Sequence, residues 1–120
     1  MTHVLIVDDI EESRYLLRAL LEGNGYRVVT AENGRAGLDM AGDENPALIL
    51  LDIVMPGPDG YVVLSRLSTD EKTRRIPVVM LTARGESDSI LLAQQMRAKD
   101  YLIKPFSADD LLGVIRKNIR

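Results

Sequence analysis

The chain has 120 residues, of which 46% are hydrophobic and 28% charged, and its formal net charge is -3. Such a length and composition are typical of one globular domain and exclude wholesale disorder. The absence of cysteine excludes a disulfide scaffold, a zinc-thiolate site and a thiol nucleophile, and the acidic balance argues against direct binding to a nucleic acid.

The first residues lead directly into a short apolar run, without a charged segment or a cleavage signal. No apolar run approaches the ~20 residues that are needed to cross a bilayer. We therefore expect a cytoplasmic protein without membrane contact.

Short apolar runs rich in β-branched residues alternate with segments of helical spacing along the chain. The runs predict strands at residues 4–7, 28–30, 48–51, 76–81 and 101–103. They are almost unbroken, which is typical of parallel strands covered on both faces, and the strict alternation requires right-handed crossovers. We predict one α/β domain over residues 1–120, with a doubly wound five-stranded parallel sheet of flavodoxin-like strand order 2-1-3-4-5 and five helices.

Two helix starts carry the spacing of a capping box, in which a side chain at the N-cap and one three residues later bond to each other's backbone. The pairs are Asp9 with Glu12 and Ser107 with Asp110. Both pairs predict a helix directly after a predicted strand.

Chemically active residues follow the predicted strands at their carboxyl ends, where ligands bind in sheets of this kind. They are Asp8 and Asp9 after the first strand, Asp52 after the third, Thr82 after the fourth and Lys104 after the fifth. With strands one and three adjacent, three carboxylates meet at one edge. Two charges ~5 Å apart repel by about 3 kcal/mol at an effective dielectric near 20, so such a group requires a raised pKa or a bound cation.

The donors at this edge are hard oxygens with no nearby histidine or cysteine, which favours Mg²⁺ or Mn²⁺ over zinc. Mg²⁺ commonly shares its coordination with phosphate oxygens. The charge of Lys104 and the hydroxyl of Thr82 both suit the oxygens of a transferring phosphoryl group. Without serine or cysteine at these positions the nucleophile is a carboxylate, and Asp52 is the best candidate because Asp8 and Asp9 are better used on the metal.

Each of these residues also has a purely structural interpretation. Alone, Asp9 is a helix cap, Asp52 a turn former, Thr82 a strand-end hydroxyl and Lys104 part of a surface turn. Independent caps and turns have no reason to place three acids, a hydroxyl and a lysine on one edge of a sheet. The combination therefore favours a functional site.

The sequence resembles the response-regulator receiver domain, the phosphoacceptor module of two-component signalling, from residue 4 to about residue 119. Four motifs carry the resemblance: VLIVDD at residues 4–9, DIVMPGPDG at 52–60, VMLTA at 79–83 and DYLIKPF at 100–106. Together they cover the predicted strand ends.

The resemblance implies that Asp52 accepts a phosphoryl group from a phosphohistidine of a histidine kinase or a histidine phosphotransfer protein. It implies Mg²⁺ binding by Asp8, Asp9, Asp52 and the backbone carbonyl of Val54. It further implies that Thr82 and Lys104 engage the phosphoryl group. Such a protein catalyses only its own phosphorylation and dephosphorylation and switches a surface toward a downstream protein, which the sequence does not name.

Three further positions are addressed by the resemblance. Tyr101 falls on the aromatic switch position, and the Lys104–Pro105 bond is commonly cis in the family. Arg97 stands where receivers usually carry glycine, which leaves the local geometry open. Arg97 comes just after the fourth predicted helix, and Leu91, within that helix, is expected to point outward.

Three other functions share parts of the pattern. A receiver-like module that acts without phosphorylation is opposed by the intact acid, hydroxyl and lysine positions. An aspartyl-phosphate phosphohydrolase favours a second acid two residues after the nucleophile, where this chain has Val54. A flavin carrier needs phosphate-binding donors in the loop that Asp8 and Asp9 occupy.

Overall fold

The computed structural model describes residues 3–83 and 98–119. Its elements, in chain order, are β1 (His3–Val7), α1 (Glu11–Glu22), β2 (Arg27–Ala31), α2 (Gly34–Glu44), β3 (Leu48–Asp52), α3 (Gly60–Thr69), β4 (Val78–Ala83), β5 (Asp100–Lys104) and α4 (Ala108–Asn118). Within these ranges no helix has both the length and the apolar character that a membrane span requires.

The five strands form one parallel sheet in the order β2-β1-β3-β4-β5. This confirms the predicted fold class and strand order. Four helices are seen in the described ranges. The fourth predicted helix, which contains Leu91, and Arg97 just after it lie outside the described residues.

Both faces of the sheet are covered, as its apolar strands require. On one face, β-strand side chains pack with Leu17 and Leu21 of α1 and with Leu111 and Ile115 of α4. On the other face, they pack with residues of α2 and α3, among them Leu64. Helices on opposite faces make the sheet doubly wound and leave the strand ends free for a site.

One predicted helix start is wrong and the other is confirmed. The N-cap of α1 is Ile10, which makes no side-chain cap bond, so Asp9 is not part of a capping box. Asp8 takes part in the helix start instead, since its Oδ1 accepts the Ile10 N–H at 2.9 Å. Ser107 and Asp110 form the predicted capping box of α4.

The fourth strand begins two residues later than predicted, at Val78. The Ile76 N–H donates to the Thr73 carbonyl at 2.9 Å in a turn, and Pro77 has no N–H to donate. The strand also ends two residues later than predicted, at Ala83, so hydrophobicity alone gave the right length but placed the strand two residues too early.

Candidate functional site

Three carboxylates meet where β1 and β3 end. Val7 pairs with Leu51, so the following residues, Asp8 and Asp52, lie side by side. Asp8, Asp9 and Asp52 each place a carboxylate oxygen within 4.8 Å of the others. We call this group the acidic site, and its formation from three predicted residues agrees with the sequence analysis.

Asp8 is fully buried and held by its neighbours in α1. Its Oδ1 is bonded to the Ile10 N–H, its Oδ2 accepts the Ser13 hydroxyl at 2.5 Å, and its backbone carbonyl accepts Arg14 Nη1 at 2.8 Å. Sequence reasoning missed Ser13 and Arg14. Their position in the first turn of the helix that follows Asp8 is the signal that could have identified them.

Asp52 is 5% exposed and lies between unlike charges. Lys104 Nζ is 3.3 Å from its Oδ2, and the Val54 N–H donates to its Oδ1 at 3.3 Å. Burial raises the pKa of Asp52, the charge of Asp8 raises it further, and the Lys104 charge and the Val54 N–H lower it without cancelling the rise. The negative charge of Asp52 is thus disfavoured until another cation joins the site.

The start of α3 presses against the end of β3 at Gly60. A Cβ at this position would lie 2.5 Å from the backbone oxygen of Asp52 and 2.6 Å from Ile53 Cα. The Gly60 N–H donates to the Ile53 carbonyl at 2.9 Å, and Asp59 caps the helix by accepting the Tyr61 N–H at 3.0 Å. Glycine is required here because the backbone at the start of α3 contacts the backbone of Asp52 and Ile53 directly. The sequence motif alone did not show this contact.

Two polar atoms at this edge are buried without a hydrogen-bond partner among the described residues, Asp9 Oδ1 and Thr82 Oγ1. An unpaired buried polar group costs about 1–3 kcal/mol, which a water or a ligand atom at this edge would offset. Thr82 pairs with Ile103 and Ala83 pairs with Lys104 across β4 and β5. The structure thus brings Asp8, Asp9, Asp52 and Lys104 together and places Thr82 on β4, the strand between those that carry Asp52 and Lys104.

The acidic site fits a hard divalent cation. Its donors are carboxylate oxygens, one of which, Asp9 Oδ1, has no partner among the described residues. Mg²⁺ takes such oxygens and tolerates open positions that water or phosphate fills. The role of the Val54 carbonyl as a further ligand stays a prediction.

Two expectations concern β5 and the loop after it. The Lys104–Pro105 peptide bond is cis, as the resemblance implied. Tyr101 is partly buried and packs against the core on the face of α2 and α3. Its role as a switch stays a prediction.

Comparison with known proteins places this site in a family. The model of the response regulator receiver domain matches residues 4–116. The chain is 39% identical over 115 residues to protein PilH of Pseudomonas aeruginosa, covering 96% of this chain and 95% of that protein. It is also 39% identical over 117 residues to the phosphate regulon transcriptional regulatory protein PhoB of the same organism, of which it covers 51%.

Solved structures agree with the fold. The chemotaxis protein CheY4 of Vibrio cholerae superposes with a TM-score of 0.93 at 28% identity, covering 99% of each chain. A doubly wound domain with an acidic site and a facing lysine is consistent with a phosphoacceptor domain of two-component signalling. This chain belongs to the response regulator receiver domain family, whose members accept phosphoryl groups from histidine kinases or phosphotransfer proteins.

Proposed function

We propose that the chain accepts a phosphoryl group on Asp52 from the phosphohistidine of a histidine kinase or a histidine phosphotransfer protein. The observation that carries this proposal is the nearly buried Asp52 carboxylate, which faces Asp8 on one side and Lys104 Nζ at 3.3 Å on the other. Among the described residues, no serine or cysteine directly follows a strand. The chain would then be a signalling phosphoacceptor that catalyses only its own phosphorylation and dephosphorylation.

In the proposed step, a carboxylate oxygen of Asp52 attacks phosphorus. A P–O bond forms, the P–N bond to the donor imidazole breaks, and the electron pair stays on the leaving nitrogen. Lys104 lies where it can compensate negative charge on the phosphoryl oxygens. The unpaired hydroxyl of Thr82 supplies a hydrogen-bond donor for one of these oxygens.

Asp8, Asp9, Asp52 and the Val54 carbonyl would hold Mg²⁺, or Mn²⁺ in its place. When bound, such a cation neutralises charge on the carboxylates and the phosphoryl oxygens. Asp8 is already oriented for this task by Ser13 and the Ile10 N–H. Burial and the charge of Asp8 raise the pKa of Asp52, and a cation beside these two carboxylates would relieve their repulsion.

Large apolar side chains are exposed beside the acidic site and could receive the donor. Ile10, directly after Asp9, is 54% exposed, and Leu16 on α1 is 58% exposed. Leu16 and Phe106 also line a cavity of about 260 Å³ between α1 and the start of α4. We propose that the phosphohistidine protein docks on this apolar surface, which brings its imidazole to Asp52.

The output would be a conformational change that a downstream protein reads. A phosphoryl group that draws the Thr82 hydroxyl toward itself vacates space, which Tyr101 can fill by turning inward. We propose that residues 1–120 act in this way as one receiver domain in the cytoplasm, with their conformation as the output.

Intact-mass measurement tests the acceptor. The chain is incubated with Mg²⁺ and either acetyl phosphate or phosphoramidate, whose P–N bond resembles that of phosphohistidine. Wild type should gain one acid-labile phosphoryl group with each donor, and Asp52→Asn none, since an amide is not a competent nucleophile. Asp39→Asn, at an exposed position of α2, is the matched control and should behave as wild type.

Two results would contradict the proposal. A phosphoryl group gained at the wild-type rate by Asp52→Asn would show that another residue is the acceptor. A folded wild-type protein that gains none from either donor would support a receiver-like module that acts without phosphorylation.

A further inference from the structure

A cavity of about 480 Å³ opens at the amino ends of the strands, opposite the carboxyl ends that form the acidic site. Its lining includes Val78, the first residue of β4, and Lys99, which directly precedes β5. From Val78 the strand runs to Thr82, about 13 Å away at ~3.3 Å per residue. The cavity is therefore separate from the acidic site and takes no part in the proposed phosphoryl transfer.

Among the described residues that line this cavity, three are basic and none is acidic: Arg74, Arg75 and Lys99. None of the three pairs with a carboxylate in the described parts of the chain. The neighbouring Asp100 is already engaged, with Lys117 Nζ 3.6 Å from its Oδ2. In a chain of net charge -3, this local reversal of sign favours an anionic ligand.

Hydrogen bonds hold the loop that carries the two arginines. The Arg74 N–H donates to the Asp70 carbonyl at 2.8 Å, and the Ile76 N–H donates to the Thr73 carbonyl at 2.9 Å. The buried Thr73 hydroxyl donates to the Leu67 carbonyl at 2.7 Å. The backbone of the loop is thus preorganised, which lowers the entropic cost of binding.

Asn118 and an apolar wall of the cavity indicate which groups a ligand has besides its anionic group. The Asn118 amide donates its hydrogens to Asp100 Oδ2 at 3.1 Å and to the Val114 carbonyl at 2.8 Å. Its Oδ1 accepts no hydrogen bond from the described residues, and Asn118 lines the cavity, so this oxygen is a candidate acceptor for a ligand. Ile76 and Pro77 contribute apolar surface to the same wall. A matching ligand has an anionic group, a hydrogen-bond donor and an apolar face.

We propose that this cavity binds a mononucleotide. The phosphate would interact with Arg74, Arg75 and Lys99, since arginine forms paired hydrogen bonds with phosphate oxygens and lysine acts as a point charge. A donor of the base or the ribose would bond to Asn118 Oδ1, and the base would lie against the apolar wall. The volume is within the range of pockets that bind small molecules. This inference does not depend on the proposed function of Asp52.

Titration of the isotope-labelled full chain with AMP or GMP, followed by amide chemical shifts, tests the proposal. Divalent cations are left out, because they would draw phosphate to the acidic site. We expect saturable shifts at Ile76, Val78, Lys99 and Asn118, with a Kd below about 1 mM. The double variant Arg74→Gln/Arg75→Gln should weaken binding about tenfold or more.

The control double variant is Arg35→Gln/Arg66→Gln, which removes the same charge from exposed positions on α2 and α3 and should bind as wild type. Adenosine and pyrophosphate separate the two halves of the ligand, and each should bind more weakly than AMP. Pyrophosphate that binds as tightly as AMP would overturn the nucleotide assignment. Equal weakening by both double variants, or no saturable shift up to about 5 mM AMP and GMP, would overturn the site itself.

Discussion

Replacing Asp52 by asparagine removes a charge that the fold holds at a cost. Asp52 is 5% exposed, and an Asp8 oxygen lies within 4.8 Å of its carboxylate. Two unit charges at that separation repel by about 3 kcal/mol at an effective dielectric near 20. Lys104 attracts Asp52 from 3.3 Å, but its side chain is 35% exposed and solvent weakens the attraction. The raised pKa of Asp52 indicates that burial and Asp8 outweigh Lys104.

We therefore expect Asp52→Asn to increase the free energy of unfolding at neutral pH without divalent cations. Burial and the Asp8 charge oppose the Lys104 attraction, and each of these effects is several kcal/mol. Their balance leaves an increase in the free energy of unfolding on the order of 1 kcal/mol. For a chain of this length, that gain raises Tm by about 3–6 °C. The amide oxygen can still accept the Val54 N–H, so little hydrogen bonding is lost.

The gain should depend on pH in a defined direction. A carboxyl whose pKa is raised by folding stabilises the fold when it is protonated, and this contribution is lost as the pH rises through the folded-state pKa. The advantage of Asp52→Asn is therefore greatest above that pKa. It shrinks as the pH falls, and it disappears below the ordinary aspartate value of 3.8.

Thermal unfolding followed by circular dichroism in EDTA, at pH values from about 4 to about 8, measures this difference. Asp39→Asn makes the same chemical change at an exposed position and should shift stability by less than about 0.5 kcal/mol at every pH. If Asp52→Asn instead lowers Tm by a similar amount across the range, the Lys104 ion pair outweighs burial and the argument fails.

Four further variants test the other contacts of the site. Asp9→Asn should reduce the rise in Tm that Mg²⁺ gives the wild type, because that rise depends on binding to the folded state. Ser13→Ala removes a donor to buried Asp8 and should cost about 1–3 kcal/mol of stability, measured by urea unfolding. Gly60→Ala drives a Cβ into backbone atoms and should cost about 1–3 kcal/mol and slow phosphorylation of Asp52 by acetyl phosphate. Thr82→Ala should still accept a phosphoryl group but should show smaller amide shifts at Tyr101 when beryllofluoride is added.

Each of these variants has a control or a contradicting result. Equal Mg²⁺ responses of wild type and Asp9→Asn would remove Asp9 from the metal site. Ser65→Ala, exposed on α3, should leave stability within about 0.5 kcal/mol. Gly113→Ala has no atom within 4 Å of the new Cβ and should stabilise α4 by about 0.5–1 kcal/mol. Wild-type shifts at Tyr101 in Thr82→Ala would refute the proposed coupling.

The strands and their order were predictable because a parallel sheet leaves a strong signal in the sequence. Residues 4–7 of β1 and 48–51 of β3 are apolar and buried, and an acid follows directly in each case, so pattern and position agree. The start of β4 was predicted wrongly because Ile76 is apolar but belongs to a turn closed by Thr73. Apolar character reports burial and does not report backbone pairing.

The chemical residues were predictable for a related reason, since strand ends converge on one edge. The supporting contacts were not. Ser13 acts through a hydroxyl whose direction depends on the first turn of α1, and the predicted capping role of Asp9 ignored the competing bond that the Ile10 N–H donates to Asp8. Gly60 matters through an approach of two backbone segments, which no residue type in a linear sequence reports. Tertiary geometry decides all three.

The unsatisfied groups of the acidic site set the scale of the proposed signal. A ligand shifts an equilibrium between two conformations only by its differential interaction with them. Thr82 Oγ1 has no partner among the described residues, so a phosphoryl oxygen would add a bond that the unphosphorylated chain lacks. A hydrogen bond to a charged group contributes about 1.5–3 kcal/mol, which changes a conformational ratio roughly 10- to 150-fold. One hydroxyl is therefore sufficient for a switch, provided that it has no equally good partner before phosphorylation.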